Sequence, residues 1–173
     1  MNDGTSQLSL LQNLSISASS FFITPKDNLL SFLTCLLYSF SSIGTPPQDL
    51  KYKGEKNSLI IGNNNKFREY VNINPGTEQG GSITRIGDNN LLMVYCHVAH
   101  DCSISNNIVL ANNVQVGGHV TIQNNAIVGG SCAIHQFSRI GESAMIGGMT
   151  GVLSDVIPFG LSMGNRNNLM GLN

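Results

Sequence analysis

The chain has 173 residues, a formal net charge of −1 and only 11% charged residues, so it has one domain's length and lacks the basic face that nucleic acid requires. Hydrophobic residues make up 41%, Gly numbers 19 and Trp is absent, a balance that suits a repetitive β protein and excludes a disordered chain.

Residues 1–37 are rich in Ser, Leu and Phe and show no regular spacing. Their one apolar run, Leu29 to Leu37, is broken by Ser31 and Thr34 and is too short to span a bilayer. Met1 to Gln7 offers neither the basic start nor the early apolar core of a signal peptide. This segment reads as poorly specified, with one amphipathic helix and a tail. From Tyr38 the texture changes, and residues 38–173 form the second unit. Thr45-Pro46-Pro47 is a rigid connector, and Gln48 to Glu55 is a polar loop without periodicity. Aliphatic or aromatic residues then recur at Ile61, Phe67 and Ile73. Gly76 to Arg85 breaks the phase, and an excursion of this kind lands on one edge of a repetitive fold, where it often covers a site.

From Ile86 every sixth residue is aliphatic without a slip: Ile86, Leu92, Val98, Ile104, Leu110, Val116, Ile122, Val128, Ile134, Ile140, Ile146 and Val152. Four places later in each hexad comes a small or β-branched residue, with Asn90 the main exception. A helix repeats its apolar face every 3.6 residues and a strand every 2, so a period of six fits neither a bundle nor an ordinary sheet. It fits the hexapeptide repeat of a parallel β-helix, an all-β solenoid in which each hexad is one flat side and a corner. The pairs Asn106-Asn107, Asn112-Asn113 and Asn124-Asn125, with Gly87, Gly117, Gly129, Gly141 and Gly147, are expected at corners, where positive φ is needed. Pro158 ends the regularity, and Phe159 to Asn173 is expected to close the fold with a turn of helix.

Three hexads make one coil, so residues eighteen apart stack about 4.8 Å apart. In that register His97, His100, His119 and His135, which are all four histidines of the chain, fall along one edge, and Asp101 lies one coil below His119. Cys96, Cys102 and Cys132 share the small inward position, which argues for buried thiols rather than disulfides and for a reducing, cytoplasmic setting. His97-x-x-His100 flanked by Cys96 and Cys102 has a metal-like spacing, but neighbouring strand residues face opposite ways, so Cys96 and His97 diverge and no metal is expected. What remains is acid–base chemistry: a histidine that takes a proton from a hydroxyl, with a carboxylate to fix its tautomer.

Gln48-Asp49-Leu50-Lys51-Tyr52, Ile61-Gly62-Asn63-Asn64-Asn65, Arg68-Glu69, Asp88 to Met93, His97-Val98-Ala99-His100-Asp101-Cys102, Gly118-His119 and Ile134-His135-Gln136-Phe137 carry a close resemblance. Over about Tyr38 to Asn173 the chain resembles the acyl-[acyl-carrier-protein]–UDP-N-acetylglucosamine O-acyltransferases that begin lipid A synthesis. The resemblance implies a left-handed parallel β-helix, an exception to right-handed crossovers, and a homotrimer with sites between neighbouring prisms. It implies transfer of a 3-hydroxyacyl chain from acyl carrier protein to the 3-hydroxyl of UDP-N-acetylglucosamine, with no cofactor beyond the donor thioester.

It further implies that His100 is the general base, Asp101 its partner and the Gly118 N–H the oxyanion donor. Asp49 and Lys51 would hold the sugar nucleotide, His97, His119, His135 and Gln136 would line the site, Gly148 would end the acyl groove, and Asn173 would touch the pantetheine arm. Three departures stand against it. Residues 1–37 lack the family's first hexads, Asn74-Pro75 stands where a His or Asn followed by Arg is usual, and the family's helical domain after Asn173 is expected to be missing. A trimer that binds nucleotide but turns over weakly or not at all is therefore expected. The alternatives are a noncatalytic trimeric remnant, a related hexapeptide enzyme using acyl-CoA, and a zinc hydratase.

Overall fold

A computed structural model describes residues 22–23, 29–31 and 35–173. Short strands alternate among three parallel sheets. The first holds β1 (Phe22–Ile23), β4 (Ser42–Ile43), β7 (Asn72–Ile73), β10 (His97–Val98), β13 (Gln115–Val116), β16 (Ala133–Ile134) and β19 (Gly151–Val152) in ladder order. The second holds β2 (Leu29–Ser31), β5 (Ser58–Ile61), β8 (Ile83–Ile86), β11 (Ser103–Ile104), β14 (Thr121–Ile122) and β17 (Arg139–Ile140). The third runs through β3 (Leu36–Leu37), β6 (Lys66–Phe67), β9 (Leu91–Leu92), β12 (Val109–Leu110), β15 (Ile127–Val128) and β18 (Met145–Ile146) to β20 (Gly160–Met163) and β21 (Asn168–Leu172). The fold is a left-handed parallel β-helix. The expected eighteen-residue register holds: His97 pairs with Gln115, and Gln115 with Ala133.

The hexad aliphatics fill the prism. Leu92, Val98, Leu110, Val116, Ile122, Val128, Ile140, Ile146 and Val152 have no exposed surface, and Cys96, Val114, Val120, Ala126 and Cys132 pack the inward corners equally dry. Asn90, the exception in the inward row, is 1% exposed and fully employed. Its amide donates to Ser105 O, its carbonyl accepts the Ile108 N–H, and its own N–H donates to the Asn65 side chain. Buried polar groups are tolerated when paired in this way.

The corners differ from expectation in one respect. Positive φ falls on Asn107, Asn113 and Asn125, and also on Asp101, His119 and Phe137, whereas the hexad glycines keep negative φ. Those glycines serve close approach between coils instead. A Cβ on Gly117 would come within 2.8 Å of Ile134 O, and one on Gly129 within 2.5 Å of Gly148 N.

Two terminal readings are corrected. The solenoid begins before residue 38, because β1, β2 and β3 pair with β4, β5 and β6. The run Leu29 to Leu37 thus contributes β2 and β3; the rest of segment 1–37, within which one helix was expected, lies outside the described residues. At the other end β20 and β21 form an antiparallel hairpin, not a helical turn. Among the described residues no helix is long and apolar enough to cross a membrane.

Candidate active site

Among the described residues, the turns from the first sheet to the second pass the same corner of the prism. Two of these turns are enlarged. The chain leaves β4 at Ile43 and rejoins at Ser58, and it leaves β7 at Ile73 and rejoins at Ile83. Above them the same corner carries Ala99 to Cys102, then Gly117 to Val120, then His135 to Ser138. His100, His119 and His135 therefore share one corner over successive coils. His97 sits beside it, on β10.

The His100 ring is nearly buried, and its Nδ1 lies 2.8 Å from Asp101 Oδ2. The carboxylate is fully enclosed and accepts from the Thr77 backbone N–H, at 2.9 and 3.1 Å, and from the Thr77 hydroxyl at 2.6 Å. An ionised carboxylate can only accept, so Nδ1 is the donor in this contact, and in the neutral ring Nε2 keeps its lone pair. Directly above, Gly118 is buried, and a Cβ there would meet His100 Cε1 at 2.7 Å and Nε2 at 2.9 Å. The ring occupies the space a side chain would take. Among the described residues the Gly118 N–H meets no acceptor.

His119 meets His100 edge to face, with centroids 5.1 Å apart, and stacks on Phe137 at 4.4 Å. Its Nε2 is 3.9 Å from Asp101 Oδ2. His97 Nδ1 lies 2.7 Å from Asn72 Oδ1, and burial pushes its pKa down, partly opposed by hydrogen bonding to the Asn72 backbone and reinforced by nearby His100. His135 and Gln136 are exposed, and His135 Nδ1 lies 3.1 Å from Gln136 O.

Asp49 and Lys51 lie on the lower enlarged turn. Asp49 Oδ1 accepts the Lys51 N–H at 2.9 Å and so folds the loop, while Lys51 Nζ reaches Gln79 Oε1 at 3.4 Å. A groove of about 660 Å³ opens there, lined by Lys51, Lys53, Glu55, Glu78 and Gln79 among others.

Two predicted residues stand apart from this corner. Gly148 follows β18 at the corner between the third and first sheets, where an added Cβ would make ordinary contacts with Gly130 O at 3.4 Å and Gly130 N at 3.8 Å. Asn173 donates through Nδ2 to Ser143 O at 2.9 Å, at the corner between the second and third sheets. Neither converges with His100 within one chain.

The cysteines point inward as expected. Cys96 and Cys102 are buried, their thiols donate to Ala111 O and Gly117 O at 3.1 Å, and burial raises them to about 11 and about 12. None of the four cysteines is joined in a disulfide. His100, Asp101 and His119 do bring donor atoms within 4.8 Å of one another. Asp101 Oδ2, however, already receives Thr77 and His100.

Sequence reasoning missed Thr77, Gly80, Thr84 and Asn72. The phase break at Gly76 to Arg85 was the available signal for the first three.

No protein-family model matches the chain. It is 56% identical over 137 residues to an acyl-[acyl-carrier-protein]–UDP-N-acetylglucosamine O-acyltransferase of Nautilia profundicola, covering 79% of this chain and 53% of the relative. It is 54% identical over 138 residues to the protein of that name from Paracoccus denitrificans, covering 80% of this chain and 53% of the relative. The chain thus spans about half the length of the curated relatives it matches. Among solved structures, UDP-N-acetylglucosamine O-acyltransferase (LpxA) from Moraxella catarrhalis superposes with a TM-score of 0.82 at 44% identity, over 84% of this chain and 57% of that one. LpxA from Acinetobacter baumannii superposes with a TM-score of 0.75 at 34% identity, over 87% of this chain and 72% of that one. With its fold, its histidine corner and these likenesses in agreement, the chain belongs to the acyl-[acyl-carrier-protein]–UDP-N-acetylglucosamine O-acyltransferase family.

Proposed function

We propose that this chain carries the acyl-transfer site of a cytoplasmic homotrimeric enzyme. It moves an (R)-3-hydroxyacyl chain from acyl carrier protein to the 3-hydroxyl of UDP-N-acetylglucosamine, the first step of lipid A synthesis, with no cofactor beyond the donor thioester. One observation carries the reading: His100, tied through Nδ1 to an enclosed Asp101, lies against Gly118, whose N–H has no acceptor among the described residues.

The chemistry follows from that arrangement. His100 Nε2 takes the proton of the sugar 3-hydroxyl as its oxygen attacks the thioester carbon. The negative charge that develops on the thioester oxygen is met by the Gly118 N–H, a dipole fixed in advance by the coil. When the carbon–sulfur bond breaks, the imidazolium returns its proton to the departing thiolate, and Asp101 has held the ring throughout. Asp49 and Lys51, beside the groove of about 660 Å³, suit the polar sugar nucleotide. His97, His119, His135 and Gln136 line the path of the substrates. The small outward residues Ala133 and Gly151 lead across the first sheet toward Gly148, which supports an acyl track ending there. Asn173, on another corner, would reach the pantetheine arm of a donor bound between copies.

The test is a calorimetric titration with UDP-N-acetylglucosamine followed by a transfer assay with 3-hydroxyacyl carrier protein. Saturable binding and a new ester on the sugar are expected. Binding without turnover would identify a noncatalytic remnant, and turnover with acyl-CoA but not carrier protein would identify the related enzyme class. Stoichiometric zinc in the purified protein, with hydration in place of acyl transfer, would favour the hydratase.

A further inference from the structure

We infer that Thr77 is a positioning residue of the acyl-transfer site, and that the excursion carrying it sets the tautomer of His100. The enlarged turn between β7 and β8 was conspicuous in the sequence only as a loss of phase. In three dimensions it lies one coil below the corner that carries His100 and Asp101, because β7 pairs with β10 and β8 with β11.

Its contacts are directed at one group. Thr77 is 2% exposed and donates its backbone N–H to both oxygens of Asp101 and its hydroxyl to Oδ2 at 2.6 Å. Gly80 presses on the same carboxylate: a Cβ there would lie 2.1 to 2.5 Å from its three terminal atoms. Thr84, where the chain re-enters the prism, accepts the Asp101 backbone N–H at 2.8 Å. The excursion closes on itself through Gly80 N–H and Ser82 N–H, both donated to Thr77 O. Its 3₁₀ turn, Glu78–Gly80, presents Gln79 to Lys51 of the lower loop.

The physical need is clear from the position of Asp101. It follows His100 directly in sequence and has a φ of 59°, so adjacency alone does not aim its carboxylate at Nδ1. A fully enclosed carboxylate must also find donors or give up its charge. Thr77 meets both needs. It supplies a backbone N–H and a hydroxyl to the enclosed carboxylate, and it fixes Oδ2 where His100 Nδ1–H can reach it. The tautomer that leaves Nε2 free to accept a proton is thus imposed from the coil below.

The test compares Thr77→Val, which keeps shape but removes the hydroxyl, with Thr77→Ser, which keeps the hydroxyl. Two readouts are taken: the ¹⁵N NMR signature of the His100 imidazole, and the kinetics of acyl transfer. Thr77→Val is expected to give mixed His100 tautomers and, granted the proposed acyl transfer, a kcat lower by about ten- to a hundredfold with little change in KM for the sugar nucleotide. Thr77→Ser is expected to restore both. Should Thr77→Val fail to fold, Thr77→Ala gives the same comparison. An unchanged imidazole signature in a folded variant lacking the hydroxyl would overturn the inference. The NMR readout needs no turnover, so absence of acyl transfer in every form, with the tautomer shift intact, would defeat the proposed function and leave Thr77's role standing.

Discussion

His97 and His100 are three residues apart, yet their neighbours give them different work. Asp101 gives His100 a charged partner, and replacing His100 with Ala is expected to lower kcat by about 10²–10⁴ while the melting temperature stays near that of the native protein. Retention of full activity would remove His100 from the base's role. His97 has only the neutral carbonyl of Asn72, and burial lowers its pKa from 6.5. A histidine whose folded pKa lies below its unfolded value contributes stability that is complete above about 6.5 and is lost as pH falls through the lowered value. The melting temperature should therefore fall on acidification below 6.5, and less steeply in His97→Gln, whose amide can still donate to Asn72 without titrating. Equal slopes in melting curves from pH 7 to 5 would show that His97 does not contribute.

At the scale of the element, each hexad is a two-residue strand and a corner, too short to be stable alone. Stability comes from the ladders of coils and from a dry interior. Asn90 tests how strictly that interior must be satisfied. Asn90→Ala strands the Ile108 N–H and Ser105 O, both bonded to the side chain in the native fold. The expected cost is about 1–3 kcal/mol, read as a lower urea midpoint with an unchanged slope. A midpoint equal to the native one would mean that water or a shifted coil replaces the amide. The two enlarged turns belong to this scale as well. They interrupt the repeat at the corner below the histidines, and one of them encloses Asp101.

The whole prism leaves apolar surface uncovered. Phe40, Tyr70 and Tyr95 stack in a column on the corner between the third and first sheets, with centroids 5.1 and 4.7 Å apart, and each ring is about half exposed. Tyr70, Tyr95 and His97 border a groove of about 380 Å³. Contiguous apolar surface of this kind fits an interface. Light scattering of the purified protein is expected to give three times the chain's mass. A monomer at that mass resolution would contradict the proposed assembly and leave Gly148 and Asn173 remote from His100.

The sequence by itself determined the coil. An unbroken six-residue period has one economical packing, and that packing alone brings residues eighteen apart into register, so the histidine edge and the inward cysteines could be read before any coordinates. The eighteen-residue count also stacked Asp101 beneath His119. It could not reveal the first strands, because the two- and three-residue strands β1 to β3 leave too few intervals for a period to show. Nor could it separate the roles of Asn and Gly at corners, since both suit a turn on paper; only the folded backbone shows that the glycines serve close approach and that the second asparagine of each pair takes positive φ. Tertiary structure alone decided what holds Asp101. Thr77 and Gly80 reach that carboxylate across a coil boundary, from a segment that has lost the repeat, and a contact of that kind leaves no periodic trace in the chain.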